Sequence, residues 1–97
     1  MIFVAAGTQD GREITARLLA ENYQVLASVV SSYGKILLES HDHLLVNDTP
    51  LDLPALKKVL IQHKIRVFVD ATHPYAVNVS ENAMTACREL QIPFIRY

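Results

Sequence analysis

Residues 66–75 read RVFVDATHPY, and the run changes character halfway along. Val67, Phe68 and Val69 have the β-branched and aromatic bias of a strand buried on both faces. Asp70, Thr72 and His73 then turn the chain polar with no spacer between. Pro74 brings the fixed φ and missing N–H that suit the first turn of a helix. His73, standing before a proline, is steered away from helical backbone and reads as loop or N-cap. The run is strand, short polar loop, helix start. In a parallel α/β sheet ligands bind at the carboxyl ends of strands, so Asp70, Thr72, His73 and Tyr75 are candidate site residues.

The same alternation extends outward along the chain. Residues 2–6 are a short apolar run ending at Gly7, a first strand. Residues 10–21 have helical composition, with Ile14, Leu18 and Leu19 as an apolar stripe, and Asn22 can end that helix. Residues 23–30 (YQVLASVV) predict a second strand, and Ser31 or Ser32 can cap a short helix over 33–40. Residues 44–46 predict a third strand, and Asn47-Asp48-Thr49-Pro50 is turn chemistry. Asp52 or Pro54 opens a helix that turns Leu56, Val59, Leu60 and His63 inward. A last helix over 74–91 turns Ala76, Val79, Ala83, Cys87 and Leu90 inward, and residues 93–96 predict a fifth strand. Parallel neighbours need crossover helices, so the expected fold is α/β: a Rossmann-like three-layer domain around a five-stranded parallel sheet. Right-handed crossovers favour the order 3-2-1-4-5, which sets strands one and four side by side. The crevice then opens between the Gly7–Arg12 and Asp70–Tyr75 loops.

Composition bounds what such a domain can do. The 97 residues are 51% hydrophobic, enough for one core, and are expected to form a single domain. A net charge of −1 gives no electrostatic footprint for nucleic acid or an anionic membrane. The single cysteine, Cys87, excludes an internal disulfide and fits a reducing compartment, and on the inward stripe it reads as a small core residue. Met1 leads directly into strand-like residues, and no apolar run is long enough to cross a bilayer, so a cytoplasmic location is expected. The closing PFIRY reads as though cut from something longer.

The first loop is Ala5-Ala6-Gly7-Thr8-Gln9-Asp10-Gly11-Arg12. Laid on G-x-G-x-x-G, only the middle glycine matches, at Gly7. Its physics still suits a phosphate. Gly7 permits close backbone approach, Thr8 offers a hydroxyl, the next helix presents free N–H groups, and Arg12 adds a cation. A plain βα turn, with Asp10 as N-cap and Arg12 as solvated surface, is the competing reading. After strand two, no acid precedes Glu39 to grip a ribose 2′-hydroxyl, whereas serines, Lys35 and Arg12 tolerate a 2′-phosphate. That favours NADPH over NADH. The serines alone could equally be helix caps.

Taken together, GTQDGR after strand one, SSYG after strand two, and DATHPYA, VSENA and ACRELQIPFIRY after strand four resemble the precorrin-6A and cobalt-precorrin-6A reductase family of cobalamin biosynthesis. The resemblance covers the whole chain in order. It implies a longer protein of two Rossmann-like halves with the macrocycle between them, of which residues 1–97 match the N-terminal, NADP-binding half. It further implies reduction of one ring double bond by hydride from NADPH, with the corrin-ring substrate and the absent C-terminal domain as partners. This half alone is then expected to be inactive. Gly7, Thr8, Asp10, Gly11 and Arg12 would take the phosphate-loop role, and Ser28, Ser31 and Ser32 would lie near the adenosine ribose. Asp70, Ala71, Thr72, His73 and Tyr75 would lie near the nicotinamide and the ring, with His73 and Tyr75 as candidate proton donors. Two departures stand out: Ala6 replaces a usual second glycine, and Asn47-Asp48-Thr49 replaces a Gly-Arg-type turn, read here as a surface-loop difference.

The remaining candidates are weaker. His41-x-His43 lacks a nearby third ligand, so no metal site is expected. Asp70 could instead orient the Gly7 loop through its backbone amides. A phosphoacceptor receiver domain would need paired acids after strand one, where Ala6-Gly7 stands. A non-catalytic NAD(P)-sensing module, or another NADP-dependent oxidoreductase, would show the same loops and stays open.

Overall fold

The structure, a computed structural model, describes residues 1–29, 38, 40–73 and 76–97. Residues 33–37 and 39 of the predicted short helix, its caps Ser31 and Ser32, and the Pro74-Tyr75 pair fall outside the described residues, while Leu38 and Ser40 are described and not helical. The described elements run β1 (Ile2–Ala5), α1 (Gln9–Ala20), β2 (Val25–Ser28), β3 (Leu44–Asn47), α2 (Leu53–Gln62), β4 (Val67–Asp70), α3 (Val77–Leu90) and β5 (Phe94–Arg96). All strand pairs are parallel, and the sheet order is β3-β2-β1-β4-β5, as the crossover argument requires.

Local chemistry sets the ends of the helices. Thr8, with extended backbone, caps α1 by accepting from the Gly11 amide at 3.1 Å. Asp10, the cap in the plain βα-turn reading, lies in the first turn instead. Asp52 caps α2 by accepting from the Ala55 amide at 2.9 Å, and Pro54 sits in the first turn where its missing N–H costs nothing. Left-handed residues, Asn22 at φ 67° and Gln91 at φ 57°, turn the chain after α1 and α3.

The sheet divides the core in two. On one face Phe3, Ala5, Leu26 and Phe68 pack against Leu56 and Leu60 of α2 and Ala83, Ala86 and Cys87 of α3. On the other, Val4, Ala6, Val25, Ala27 and Val29 pack with Leu19 of α1. Phe3, Phe68 and Phe94 form a stacked ladder across β1, β4 and β5, with ring centroids 4.6 and 5.6 Å apart. Two expectations are corrected. β4 is not buried on both faces: Phe68 is enclosed, but Val67 and Val69, on the face away from α2 and α3, are only half-buried. Val79 is exposed, and Ala86 takes the inward position beside Ala83 and Cys87.

Gly11 governs how closely α1 approaches β1. A Cβ there would stand 2.6 Å from the Ala6 Cα and 3.1 Å from its carbonyl carbon, both backbone atoms. Thr15, one turn on, is buried and closes its hydroxyl onto the Gly11 carbonyl at 2.8 Å. Gly11→Ala should therefore destabilise the domain by about 1–3 kcal/mol through overpacking, outweighing the roughly 1 kcal/mol that alanine gains as a helix former. Urea unfolding checks this. A variant as stable as the parent would show that α1 can shift freely.

Candidate active site

The loops after β1 and β4 meet at the carboxyl end of the sheet. Thr8 joins them: its hydroxyl donates to the Ala71 carbonyl at 2.7 Å while accepting from the Gly11 amide. The Ala71 amide in turn donates to the Ala5 carbonyl at 3.1 Å. One hydroxyl thus caps α1 and fixes the width of the gap between the two loops. Gly7 is exposed beside the start of α1, and a Cβ placed on it would meet nothing within 4 Å. Among the described residues nothing stands within 4 Å of that position, which adjoins helix-start amides that lack intrahelical partners.

Asp70 is the most heavily engaged side chain of this region. It is fully buried, and its Oδ1 accepts from the Thr72 amide (3.0 Å) and hydroxyl (2.7 Å). Its Oδ2 accepts from the Ser80 hydroxyl at 2.6 Å and pairs with Arg96 Nη1 at 2.7 Å. Arg96 Nη1 also reaches Thr72 Oγ1 at 3.0 Å and Ser80 Oγ at 2.8 Å. Burial pushes this carboxyl upward, but the hydrogen bonds from Ser80 and Thr72, with that from Arg96, outweigh it and hold Asp70 below its ordinary value. A carboxylate so enclosed offers no lone pair to a ligand. Its described partners come from β5, the β4 loop and α3, not from the Gly7 loop, so the expected amide contacts of Asp70 are replaced by those of Thr8.

The register extends this arrangement over the whole sheet. Asn47, Ser28, Ala5, Asp70 and Arg96 are mutually aligned as the last rung of β3, β2, β1, β4 and β5. They lie one pleat beyond the phenylalanine ladder and share its face. Asn47 Nδ2 donates to Ser28 Oγ at 3.1 Å and to the Thr49 carbonyl, and Thr49 Oγ1 donates back to Asn47 Oδ1 at 3.0 Å. The rung is polar on both flanks and small in the middle, at Ala5. Over Ala5 lies a cavity of about 100 Å³ that also touches Ser28, Thr49, Leu51 and Asn82. The Asn47–Thr49 turn is therefore part of this region and not a remote surface loop.

The other expected residues fall around this centre. Ala71 is buried and contributes its carbonyl; Thr72 is half-buried; His73 is exposed, its carbonyl accepting from the Ala76 amide at 2.9 Å. Arg12 lies on the flank of α1, lining a cleft with Gln9, Glu13, Leu38 and His41. Ser31, Ser32 and Tyr75 lie outside the described residues. Sequence reasoning missed the parts played by Ser80, Arg96 and Asn47. A serine ten residues after Asp70 carries no periodic signal, and the strand-end positions of Asn47 and Arg96 matter only once the register is known. His41 Nδ1 accepts from the His43 amide at 3.0 Å, and among the described residues no group of three His, Cys, Asp or Glu could hold a metal. Cys87 is buried, and desolvation lifts its thiol to about 11, which leaves it a core residue. Among the described residues no helix is long and apolar enough to cross a membrane.

Because Asp70 is held below its ordinary value, the stability it contributes is complete above the unfolded-chain value, near pH 4, and disappears as pH falls from there through the folded value. Asp70→Asn should cost about 1.5–3 kcal/mol at pH 7 by removing the charge that its donors answer, and the gap to the parent should narrow as pH drops below about 4. Urea unfolding at several pH values measures both. A gap that stays constant with pH would contradict the ionised, paired state of Asp70.

Comparison with known proteins agrees with the fold. The family profile described as Precorrin-6x reductase CbiJ/CobK matches residues 1–97. A protein of Methanocaldococcus jannaschii named Cobalt-precorrin-6A reductase is 36% identical over 98 residues, covering 99% of this chain and 39% of the relative. One of the same name from Synechocystis sp. is 33% identical, covering 99% of this chain and 37% of its own length. A solved structure named CobK precorrin-6A reductase superimposes with a TM-score of 0.84 at 21% identity, over 99% of this chain and 38% of that one, which establishes the shared fold. The chain thus spans under two fifths of these relatives, less than the half expected. Matched over its full length, the chain belongs to the precorrin-6x reductase CbiJ/CobK family.

Proposed function

We propose that this chain is the NADPH-binding unit of a reductase that transfers hydride to a precorrin-6A or cobalt-precorrin-6A ring in the cytoplasm, with the rest of the protein supplying the other wall of the ring site. The observation that carries this reading is the gap bridged by Thr8, where among the described residues nothing lies within 4 Å of a Cβ placed on Gly7, beside the start of α1. That arrangement fits a diphosphate, which needs close backbone approach and helix-start donors. The cavity over Ala5 reaches Ser28 at the end of β2, the residue assigned to the adenosine side. Among the described residues β2 ends in a hydroxyl bonded to Asn47 and not in an acid, which suits a phosphorylated ribose.

On this reading the residues of the chain bind and orient. Gly7, Thr8 and Asp10 hold the diphosphate, with Gly11 setting how near α1 comes. Arg12, Ser28, Ser31 and Ser32 serve the adenosine side and its 2′-phosphate. Ala71 and Thr72 line the nicotinamide side, and the carboxylate of Asp70 keeps their loop in place. The bound nicotinamide supplies the hydride; the protein's contribution is to hold donor and acceptor carbons in register and exclude alternatives. His73 and Tyr75 stand on the loop that would face the ring, as the groups able to deliver the accompanying proton.

Titration calorimetry should show NADPH binding more tightly than NADH. Gly7→Val should abolish binding while leaving the fold intact, because the added side chain meets no protein atom near its Cβ. Unchanged affinity in that variant would remove the loop from the site. The chain alone should bind NADPH without reducing a precorrin ring; turnover by these 97 residues would show that no second wall is needed.

A further inference from the structure

Arg96 is tied into the fold by one nitrogen only. Nη1 makes all three of its contacts, to Asp70, Thr72 and Ser80, while the side chain as a whole is 41% exposed. Among the described residues no partner is found for Nε or Nη2. A guanidinium is planar, so fixing Nη1 against a buried carboxylate fixes the direction of the other donors as well. They belong to a side chain that is 41% exposed at the carboxyl end of β5, beside Thr72. A purely structural tether would not need them, since Asp70 already accepts from Thr72 and Ser80 without Arg96. A donor pair immobilised in advance loses little entropy on binding a planar oxyanion.

We propose that the outer edge of Arg96 is a docking point for a carboxylate of the ring substrate. This deepens the reductase reading and rests on it. β5 lies two strands from β1, roughly 10 Å at the usual strand spacing. The diphosphate of a dinucleotide on the Gly7 loop is therefore too far away to be the oxyanion at Arg96. Macrocycles of the tetrapyrrole class carry carboxylate arms at their rim, which a forked donor at one edge of the crevice can grip. The Asp70–Arg96 pair is neutral as a whole, so the site selects by hydrogen-bond direction and not by charge alone. It thereby fixes which edge of the ring points toward β5.

The test follows the Arg96 Nε–Hε resonance in ¹⁵N-arginine-labelled protein during titrations with coproporphyrin, with the same ring carrying amidated side arms, and with NADPH. Coproporphyrin should shift that resonance in a saturable way and the amidated ring should not. Arg96→Lys, which keeps the charge but loses the fork, should weaken coproporphyrin binding about tenfold or more. An Arg96 signal unmoved by coproporphyrin overturns the proposal. A signal that responds equally to the amidated ring, or to NADPH alone, overturns it too, by replacing carboxylate recognition with stacking or with a nucleotide phosphate. The Gly7 and Thr8 amides, read in the same NADPH titration, report the reductase reading separately. Their response alongside a silent Arg96 would defeat this proposal and leave that reading standing.

Discussion

A buried carboxylate, that of Asp70, organises the carboxyl end of this sheet. An ionised group with no exposed surface is tolerated only when every lone pair is answered. Here the answers come from the β4 loop through Thr72, from α3 through Ser80 and from β5 through Arg96. Three segments that a short strand could not hold together are thereby locked at one point. The usual objection to buried ion pairs, that desolvation cancels the attraction, is met by the number of donors: the carboxyl stays below its ordinary value despite burial.

This lock acts on a crevice that topology has already opened. With β1 central and flanked by β2 and β4, the loops after β1 and β4 leave the sheet next to each other. Thr8 then sets their separation by bonding across to Ala71. The last rung of the sheet tunes the floor of the crevice. Asn47–Ser28 on one flank and Asp70–Arg96 on the other leave Ala5 between them, with the cavity above it. Below that rung the phenylalanine ladder of β1, β4 and β5 provides a rigid apolar base. A stiff base under a polar rim holds the strand-end side chains more accurately than loops would.

Much of this was legible in the residues themselves. The alternation of short apolar runs with helical stripes, joined to the handedness of crossovers, yielded five parallel strands and their order. Asp52 at the start of α2 and the Asp70–His73 loop also read correctly from local chemistry. Other features were hidden for physical reasons. Gly11 falls one position past the third glycine of G-x-G-x-x-G, so its packing role against Ala6 appears only from the helix–strand distance. Val67 and Val69 look like core residues because β-branched composition does not reveal whether a strand's second face has a cover. Ser80 and Arg96 meet Asp70 across 10 and 26 positions of sequence, a contact created by the β4–α3–β5 unit and by nothing local. The strand-end row from Asn47 to Arg96 required the register.

The most direct test of the account is a crystal structure of this chain with NADPH. The diphosphate should rest before Gly7 at the start of α1, with the Asp70 carboxylate still enclosed by Thr72, Ser80 and Arg96. A dinucleotide bound away from the β1–β4 gap would contradict the account, as would one for which Asp70 has abandoned those partners to contact the ligand.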